Sequence, residues 1–306
     1  MTTETDAPTR IHTLQTPDDR QLVGIEAGAR EGVPVVYAHG MPGSALEALF
    51  FHEQALVAGY RVLALDRPGI RNSSYQPERT LLDYPDDLRL FLDHLGIGDC
   101  IHMGWSSGGS RTLAAAHEHP GRVRLAVLLS SYTHFEEMAG ARRLLLRTLW
   151  PGPVIAAIST ALFRGLVTLI TRIAQRRPDF FMARARSLFS DADHAILGDP
   201  GQVRRFRADQ LACLNSGPRA IATDLLTEMG DWGFRLGDVA TRTLIYQGAE
   251  DQLLPPAYAH HLAATLPNAE LTLLPHSGHF YPLSRPFQAD LFQRITEAIS
   301  PPHGDR

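Results

Sequence analysis

The chain has 306 residues, 44% of them hydrophobic and 20% charged, with 25 glycines and 21 prolines; this is ordinary globular composition with enough apolar material for a large core, and it excludes a disordered or collagen-like chain. Its 29 basic residues stand against 33 acidic ones, a formal net charge of −4, which removes the electrostatic case for a nucleic-acid partner. Every basic residue is arginine, so chemistry that needs a lysine, a Schiff base or a P-loop, is excluded too, and two cysteines, Cys100 and Cys213, are too few for a disulfide framework or a zinc knuckle and read as inert buried thiols.

Residues 1–30 are polar and acidic (Glu4, Asp6, Asp18, Asp19) and hold no apolar run of signal-peptide length, which predicts a cytoplasmic protein. Within them, Ile11–Leu14 and Gln21–Ala27 flank Pro17, Asp18 and Asp19 and read as an antiparallel hairpin at a sheet edge. From Val33 onward short apolar runs alternate with longer amphipathic ones, the pattern of β and α units wound about a mostly parallel sheet. Strands are expected at Val33–His39, Tyr60–Asp66, Cys100–Trp105, Arg124–Ser130, Arg242–Gly248 and Ala269–Pro275, all with little alternation, as in strands buried on both faces. Helices are expected at Tyr84–Leu95, Ser107–His117, Pro256–Leu266 and Pro286–Ile299, the last two with proline where a first turn tolerates it. His117 and His119 close a helix before Pro120, where a cation suits the dipole, and are not read as metal ligands.

From Tyr132 to Arg235 no strand pattern appears; apolar residues recur at helical spacing, punctuated by Pro151, Pro178, Pro200 and Pro218. The expected division is a sheet core, residues 1–131 and 236–306, and a helical cap, residues 132–235, lying over the carboxyl ends of the strands where open sheets bind ligands. The most apolar stretch, Val154–Phe163 and on to Ile170, is preceded by Pro151 and Pro153 and broken by Arg164. It lacks the ~20 uncharged apolar residues of a membrane span and reads as amphipathic or buried helix, with interfacial membrane contact as the lesser alternative and no stable membrane insertion. Most large apolar side chains of the cap (Leu145, Leu146, Leu149, Trp150, Leu162, Phe163, Leu169, Phe180 and Phe181 among them) are expected to pack on the core, the rest to line an apolar pocket. The cap's slight excess of arginine over acids does not name an anionic substrate.

Gly104, Trp105, Ser106, Ser107 and Gly108 match G-x-S-x-G between an expected strand and an expected helix. A sharp strand-to-helix turn would expose the Ser106 hydroxyl, and side chains two positions either side would collide, hence the glycines. A serine becomes a nucleophile when a base takes its proton and a third group orients that base. The fold family that carries such a turn places the acid and then the histidine after the serine in the chain, so the search runs forward from Ser106. Gly248, Ala249, Glu250 and Asp251 put acids after one strand, and His276, Ser277, Gly278 and His279 put imidazoles after the last. Asp251 and His279 are the chosen pair, with Glu250 and His276 as neighbours that could replace them. His39, Gly40, Met41, Pro42, Gly43 and Ser44 form a glycine-bracketed loop able to turn an amide toward Ser106, and the Ser107 amide at a helix start is a second donor for a developing oxyanion.

These segments, together with Asp66, Arg67, Pro68 and Gly69 followed by Ser73, resemble the α/β-hydrolase superfamily, and within it the capped single-chain esterases and peptidases of the proline iminopeptidase type. The resemblance implies an α/β-hydrolase fold, a triad of Ser106, Asp251 and His279, an oxyanion hole from the amides of Met41 and Ser107, supporting glycines at 40, 104 and 108 beside His39, and no cofactor or metal. Relatives commonly carry glycine where this chain has Arg71. The expected activity is hydrolysis of an ester or thioester of a small apolar acid, with a small molecule as substrate and the oligomeric state left open. Amide or peptide hydrolysis, in which Glu136, Glu137 or Glu228 would bind a free amino terminus, and C–C bond hydrolysis are the alternatives within enzymes; a protein that binds a ligand without turning it over is the alternative outside them.

Overall fold

A computed structural model describes residues 9–149 and 152–300, with backbone alone at 146–149; Glu4, Asp6, Trp150, Pro151 and the side chains of Leu146 and Leu149 lie outside the described residues. One eight-stranded sheet runs in the order β1-β2-β4-β3-β5-β6-β7-β8. The hairpin β1 (Arg10–Gln15) and β2 (Gln21–Gly28) forms one edge, with β2 antiparallel to β4 (Tyr60–Leu65). The remainder, β3 (Val33–Ala38), β5 (Cys100–Trp105), β6 (Val123–Leu129), β7 (Thr243–Gly248) and β8 (Ala269–Leu274), is parallel.

The missing alternation in the strands has a direct cause. On β3, Val35 and Tyr37 enter one apolar cluster and Val36 and Ala38 the other; on β4, Val62 and Ala64 oppose Leu63 and Leu65 in the same way. Successive side chains point to opposite faces, and both faces are covered. Helices α2 (Asp83–His94), α3 (Gly108–Glu118) and α11 (Pro256–Thr265) cover one face, while α1 (His52–Ala58) and α12 (Arg285–Ile299) cover the other. The edge strand β8 departs from the expectation: Glu270 and Leu273, on opposite faces, are exposed, because the layers covering the sheet reach its edge only in part. The sequence reading also passes over a 3-10 turn at Ala45–Phe51 that runs into α1; Ala45, Ala48, Phe50 and Phe51 are all buried, so no helical stripe marks it.

Between β6 and β7 the described residues form helices and no strand: α4 (Ala141–Leu149), α5 (Gly152–Ile158), α6 (Thr160–Arg176), α7 (Pro178–Arg186), α8 (Asp191–Ile196), α9 (Pro200–Asn215) and α10 (Pro218–Met229). The apolar stretch expected as one helix is two, because Ser159 is extended and its side chain accepts from the amide of Leu162, capping α6. A third apolar cluster joins Phe163 and Val167 of α6 to Leu214 and Ile221, and to Ile70 below. Not all the large side chains pack inward: Leu145 and Phe163 are buried, whereas Leu162, Leu169 and Phe180 are exposed.

β3 lies between β4 and β5, so the connections leaving its carboxyl end and that of β5 run to opposite sides. That divergence opens a crevice at the strand ends, the position where open α/β sheets bind ligands.

Candidate active site

Ser106 follows β5 directly and has φ +57°, a left-handed conformation that non-glycine residues avoid at a cost of order 1–3 kcal/mol. Its amide donates to the carbonyl of Leu129 and its carbonyl accepts from Gly109, which fixes the turn. A Cβ on Gly104 would stand 2.2 Å from the Gly108 carbonyl oxygen, and one on Gly108 would stand 2.0 Å from that of Ala38. Only hydrogen fits at either position, as expected from the motif. α3 begins at Gly108, so its positive end lies under the serine.

Asp251 and His279 come together. Nδ1 of His279 donates to Oδ2 of Asp251 at 2.8 Å, and both residues are buried. The Asp251 carboxylate also accepts from Gln247 Nε2 at 3.2 Å and from the amides of Leu253 and Leu254 at 2.9 and 2.8 Å. Burial acts to lower the imidazole pKa of His279, but the charge and hydrogen bond of Asp251, with the more distant Asp193, raise it. The neighbouring residues form a separate, exposed pair, His276 Nδ1 to Glu250 Oε1 at 3.2 Å. Close approach of the two loops depends on Gly248, whose added Cβ would meet the Gly278 carbonyl oxygen at 2.0 Å. Trp105 donates from Nε1 to the carbonyl of His279 at 3.1 Å. From the helical segment, Asp193 accepts the amide of Phe280 at 2.8 Å and, within its capping box with Ser190, backs the same loop.

The loop after β3 approaches the serine: a Cβ on Gly40 would lie 3.7 Å from that of Ser106. The amides of half-buried Met41 and buried Ser107 have no hydrogen-bond acceptor among the described residues. Several side chains around this loop are tied down. Glu47 accepts from the Gly40 amide at 2.9 Å and the Tyr37 hydroxyl at 2.8 Å, and Asp209 of α9 accepts from the amide and hydroxyl of Ser44 at 2.9 and 2.6 Å. His39 donates from Nδ1 to the Gly40 carbonyl at 2.9 Å, and burial holds its imidazole neutral. Burial likewise pushes the carboxyls up, Asp209 to about 7 and Glu47 well above the ordinary range. Asp66 accepts from the Ala45 amide at 2.8 Å and pairs with Arg71 at 3.0 Å, and burial raises it to about 6. Arg71, where the resemblance leads one to expect glycine, has a left-handed backbone with φ +46°; its pairing with Asp66 and the bond from its amide to Ser216 Oγ at 2.7 Å hold it there.

A buried ionic cluster lies behind both loops. Arg67 donates to the carbonyls of His39 and Gly40, each at 2.8 Å, and its Nε pairs with Asp224 of α10 at 2.7 Å. One turn further along α10, Glu228 accepts from the hydroxyls of Ser107 and Ser110 at 3.0 and 2.8 Å and pairs with Arg111. Residues four apart on one helix therefore reach the two loops that flank Ser106. Sequence reading misses Glu47, Asp209 and Asp224, since buried acids far apart in the chain leave no local pattern.

Ser106 and His279 line one cavity of about 210 Å³ with Gly40, Met41 and Trp105. Phe181, Met182, Ala185, Leu188 and Phe189 of the helical segment form its apolar wall. Among the described residues, Glu136, Glu137, Glu228 and every arginine lie outside its lining; the one acid there, Glu47, is bonded to the Gly40 amide and the Tyr37 hydroxyl, and burial raises its carboxyl. Cys100 and Cys213 are buried free thiols whose pKa burial raises, to about 12 for Cys100. His117 stacks on Phe234, and His119 meets the carbonyl of Pro85 at 3.0 Å.

Comparison with known proteins agrees with this fold. The putative carbamate hydrolase RutD of Caulobacter vibrioides (strain NA1000 / CB15N) is 25% identical over 241 residues, covering 76% of this chain and 78% of that protein. The 2-hydroxy-6-oxononadienedioate/2-hydroxy-6-oxononatrienedioate hydrolase of Comamonas testosteroni is 24% identical over 284 residues, covering 88% and 87%. A thermophilic esterase from Thermogutta terrifontis shares the fold with TM-score 0.67 at 22% identity, over 94% of this chain and 96% of that one. A family model described as the alpha/beta hydrolase fold matches residues 33–286. Since that match runs from the first residue of β3 into α12, across six of the eight strands and all that is threaded between them, the chain belongs to the α/β-hydrolase-fold family and is a hydrolase.

Proposed function

We propose that this hydrolase cleaves carboxylic esters or thioesters of small apolar acids through an acyl-serine intermediate, with residues 132–235 as the cap over the site. The observation that carries the reading is that Ser106, held in a strained turn, lines the same apolar cavity as a histidine bonded to a buried carboxylate. His279 takes the hydroxyl proton as Ser106 Oγ attacks the acyl carbon, and the imidazolium formed is stabilised by Asp251. The amides of Met41 and Ser107 receive the carbonyl oxygen as it becomes an oxyanion; a lost donor of this kind typically costs roughly 10²–10³ in turnover. The imidazolium then gives its proton to the departing alcohol or thiol. Water, deprotonated by His279, attacks the acyl-serine, and the acid leaves as Ser106 recovers its proton.

The apolar wall favours an uncharged acyl group. Among the described residues no arginine lines the cavity to meet a dicarboxylate of the kind named for the Comamonas relative, and its one acid, Glu47, is engaged by the Gly40 amide and the Tyr37 hydroxyl rather than left for the ammonium group of a peptide amino terminus. A fluorophosphonate should label Ser106, and Ser106→Ala should abolish labelling and lower ester turnover by on the order of 10⁶ with its circular dichroism unchanged. Across a panel of straight-chain esters, kcat/KM should rise up to about fourfold per methylene, the value of ~0.8 kcal/mol for each group buried, until the cavity is full. Full turnover by Ser106→Ala, or faster cleavage of amides or C–C bonds than of every ester, would overturn the reading. Ligand binding by a wild-type protein that neither labels nor hydrolyses would support a binding protein instead.

A further inference from the structure

Helix α6 is apolar on two sides. Phe163, Val167, Thr171 and Ala174 recur at helical spacing and are buried where α6 packs on α9 and α10. Leu162, Leu166, Leu169 and Ile173 form a second row, offset by one residue and so by about 100° around the helix. This row faces water: Leu162 is 63% exposed and Leu169 58%. Ile158 just before the helix is 74% exposed, and Phe180 at the start of α7 is 61% exposed. Seven of the twelve large apolar side chains exposed among the described residues fall between Val154 and Phe180. A surface helix ordinarily carries one apolar stripe, turned inward, and concentration of a second on one segment marks an interaction face.

The charge around the row identifies its occupant. Residues 141–186 contain nine arginines and one acid, Asp179, a local charge of +8 in a chain whose net charge is −4. Over the whole segment 132–235 the excess halves to +4, fourteen arginines against ten acids, because nine of those acids lie outside that stretch. Arg172 and Arg176 flank the row, are exposed and have no ion pair among the described residues. A second copy docked by a two-fold axis would set these arginines against their own equivalents. Lipid phosphates would complement them.

We propose that α6 and the start of α7 dock on an anionic lipid surface. Leu162, Leu169, Ile173 and Phe180 enter the acyl boundary, and Arg172 and Arg176 meet the headgroup phosphates. No helix among the described residues is long and apolar enough to cross a membrane, so the contact is that of an amphipathic helix lying in the interface. Phe180 points outward beside Phe181 and Met182, which line the cavity; docking therefore brings the cavity wall to the lipid boundary.

Full-length protein would be sedimented with phosphatidylglycerol-containing vesicles and with vesicles of phosphatidylcholine alone. Binding should require the anionic lipid and weaken as salt is raised. A Leu162→Asp/Leu169→Asp variant should bind at least ~10-fold more weakly, the loss expected when two leucines no longer leave water. Arg172→Glu/Arg176→Glu should lose the salt-sensitive part while keeping the apolar row. Both variants should keep wild-type circular dichroism and turnover of a water-soluble ester. Equal binding to both vesicle types, binding to neither, or wild-type binding by Leu162→Asp/Leu169→Asp would overturn the proposal. So would a wild-type dimer in sedimentation velocity that Leu162→Asp/Leu169→Asp converts to monomer, which would assign the face to a second copy. None of these readings depends on Ser106, so they stand or fall apart from the proposed activity.

Discussion

Removing the charge of Asp224 while keeping its shape, as in Asp224→Asn, tests whether α10 stabilises the loops beside Ser106. Burial alone would raise this carboxyl; Arg67, Arg79 and Arg111 outweigh it and hold the group far below the ordinary carboxylate range. At the 2.7 Å separation of Asp224 and Arg67, a pair of unit charges is worth about 6 kcal/mol at an effective dielectric constant of about 20. Asparagine escapes the carboxylate's desolvation, so the expected net loss is about 3–5 kcal/mol, the usual result of breaking a buried pair. Spread over the unfolding entropy of a chain this long, that is roughly 5–8 °C in Tm. The sign with pH follows from a depressed folded pKa. The stabilisation is complete above the ordinary value of 3.8 and fades as pH falls below it, so variant and wild type should differ fully at neutral pH and converge in acid. Arg67 also donates to the carbonyls of His39 and Gly40. Released from Asp224, it should let that loop drift and lower kcat by roughly 10²-fold, the scale of a misplaced oxyanion donor. Thermal unfolding by circular dichroism at neutral and acid pH and kinetics on a soluble ester supply the readouts. An unchanged Tm would refute the ionic argument; a lowered Tm with wild-type kcat would refute the coupling to the loop.

Two further outcomes follow from the same geometry. Because Asp251 and Asp193 overcome burial and raise the His279 pKa above 6.5, kcat/KM for a soluble ester should rise with pH through a midpoint above that value, as the imidazole becomes a free base. In Asp251→Asn burial should dominate, moving the midpoint below 6.5 and lowering the plateau by about 10⁴; a wild-type midpoint below 6.5, measured in a pH–rate profile, would contradict the assignment. In Gly278→Ala the new Cβ would stand 2.2 Å from Ser190 Oγ and 2.3 Å from Asp193 Cγ, so the loop carrying His279 must shift, at about 1–3 kcal/mol of stability and a measurable loss of turnover. Gly121→Ala, where a Cβ meets nothing within 4 Å, is the control and should show neither effect.

Much of the framework was legible because its determinants are local. Strands buried on both faces must be continuous apolar runs, and six such runs match β3 to β8 to within one residue at each end. The glycines at 104 and 108 announce a turn with no room for side chains. Choosing Asp251 over Glu250 and His279 over His276 is another matter, since each pair shares one loop and differs only in burial, a tertiary property. The shell behind the loops is less legible still. Asp209 meets Ser44 across 165 residues, and Glu228 meets Ser107 across 121, so no window of sequence contains both partners. The break at Ser159 is hidden by apolar residues on either side, and the exposed row on α6 has the same spacing as a buried one.

The cavity takes its polar end from loops after β3, β5 and β8 and its greasy end from α7 and the turn beyond it. α7 has no buried residue. Exchanges at Phe181, Met182 or Ala185 should therefore leave the scaffold standing, and selection for a new acyl group can explore that helix without disturbing the residues proposed to do the chemistry. A combinatorial library confined to these three sites would draw on an evolvability already present in the architecture.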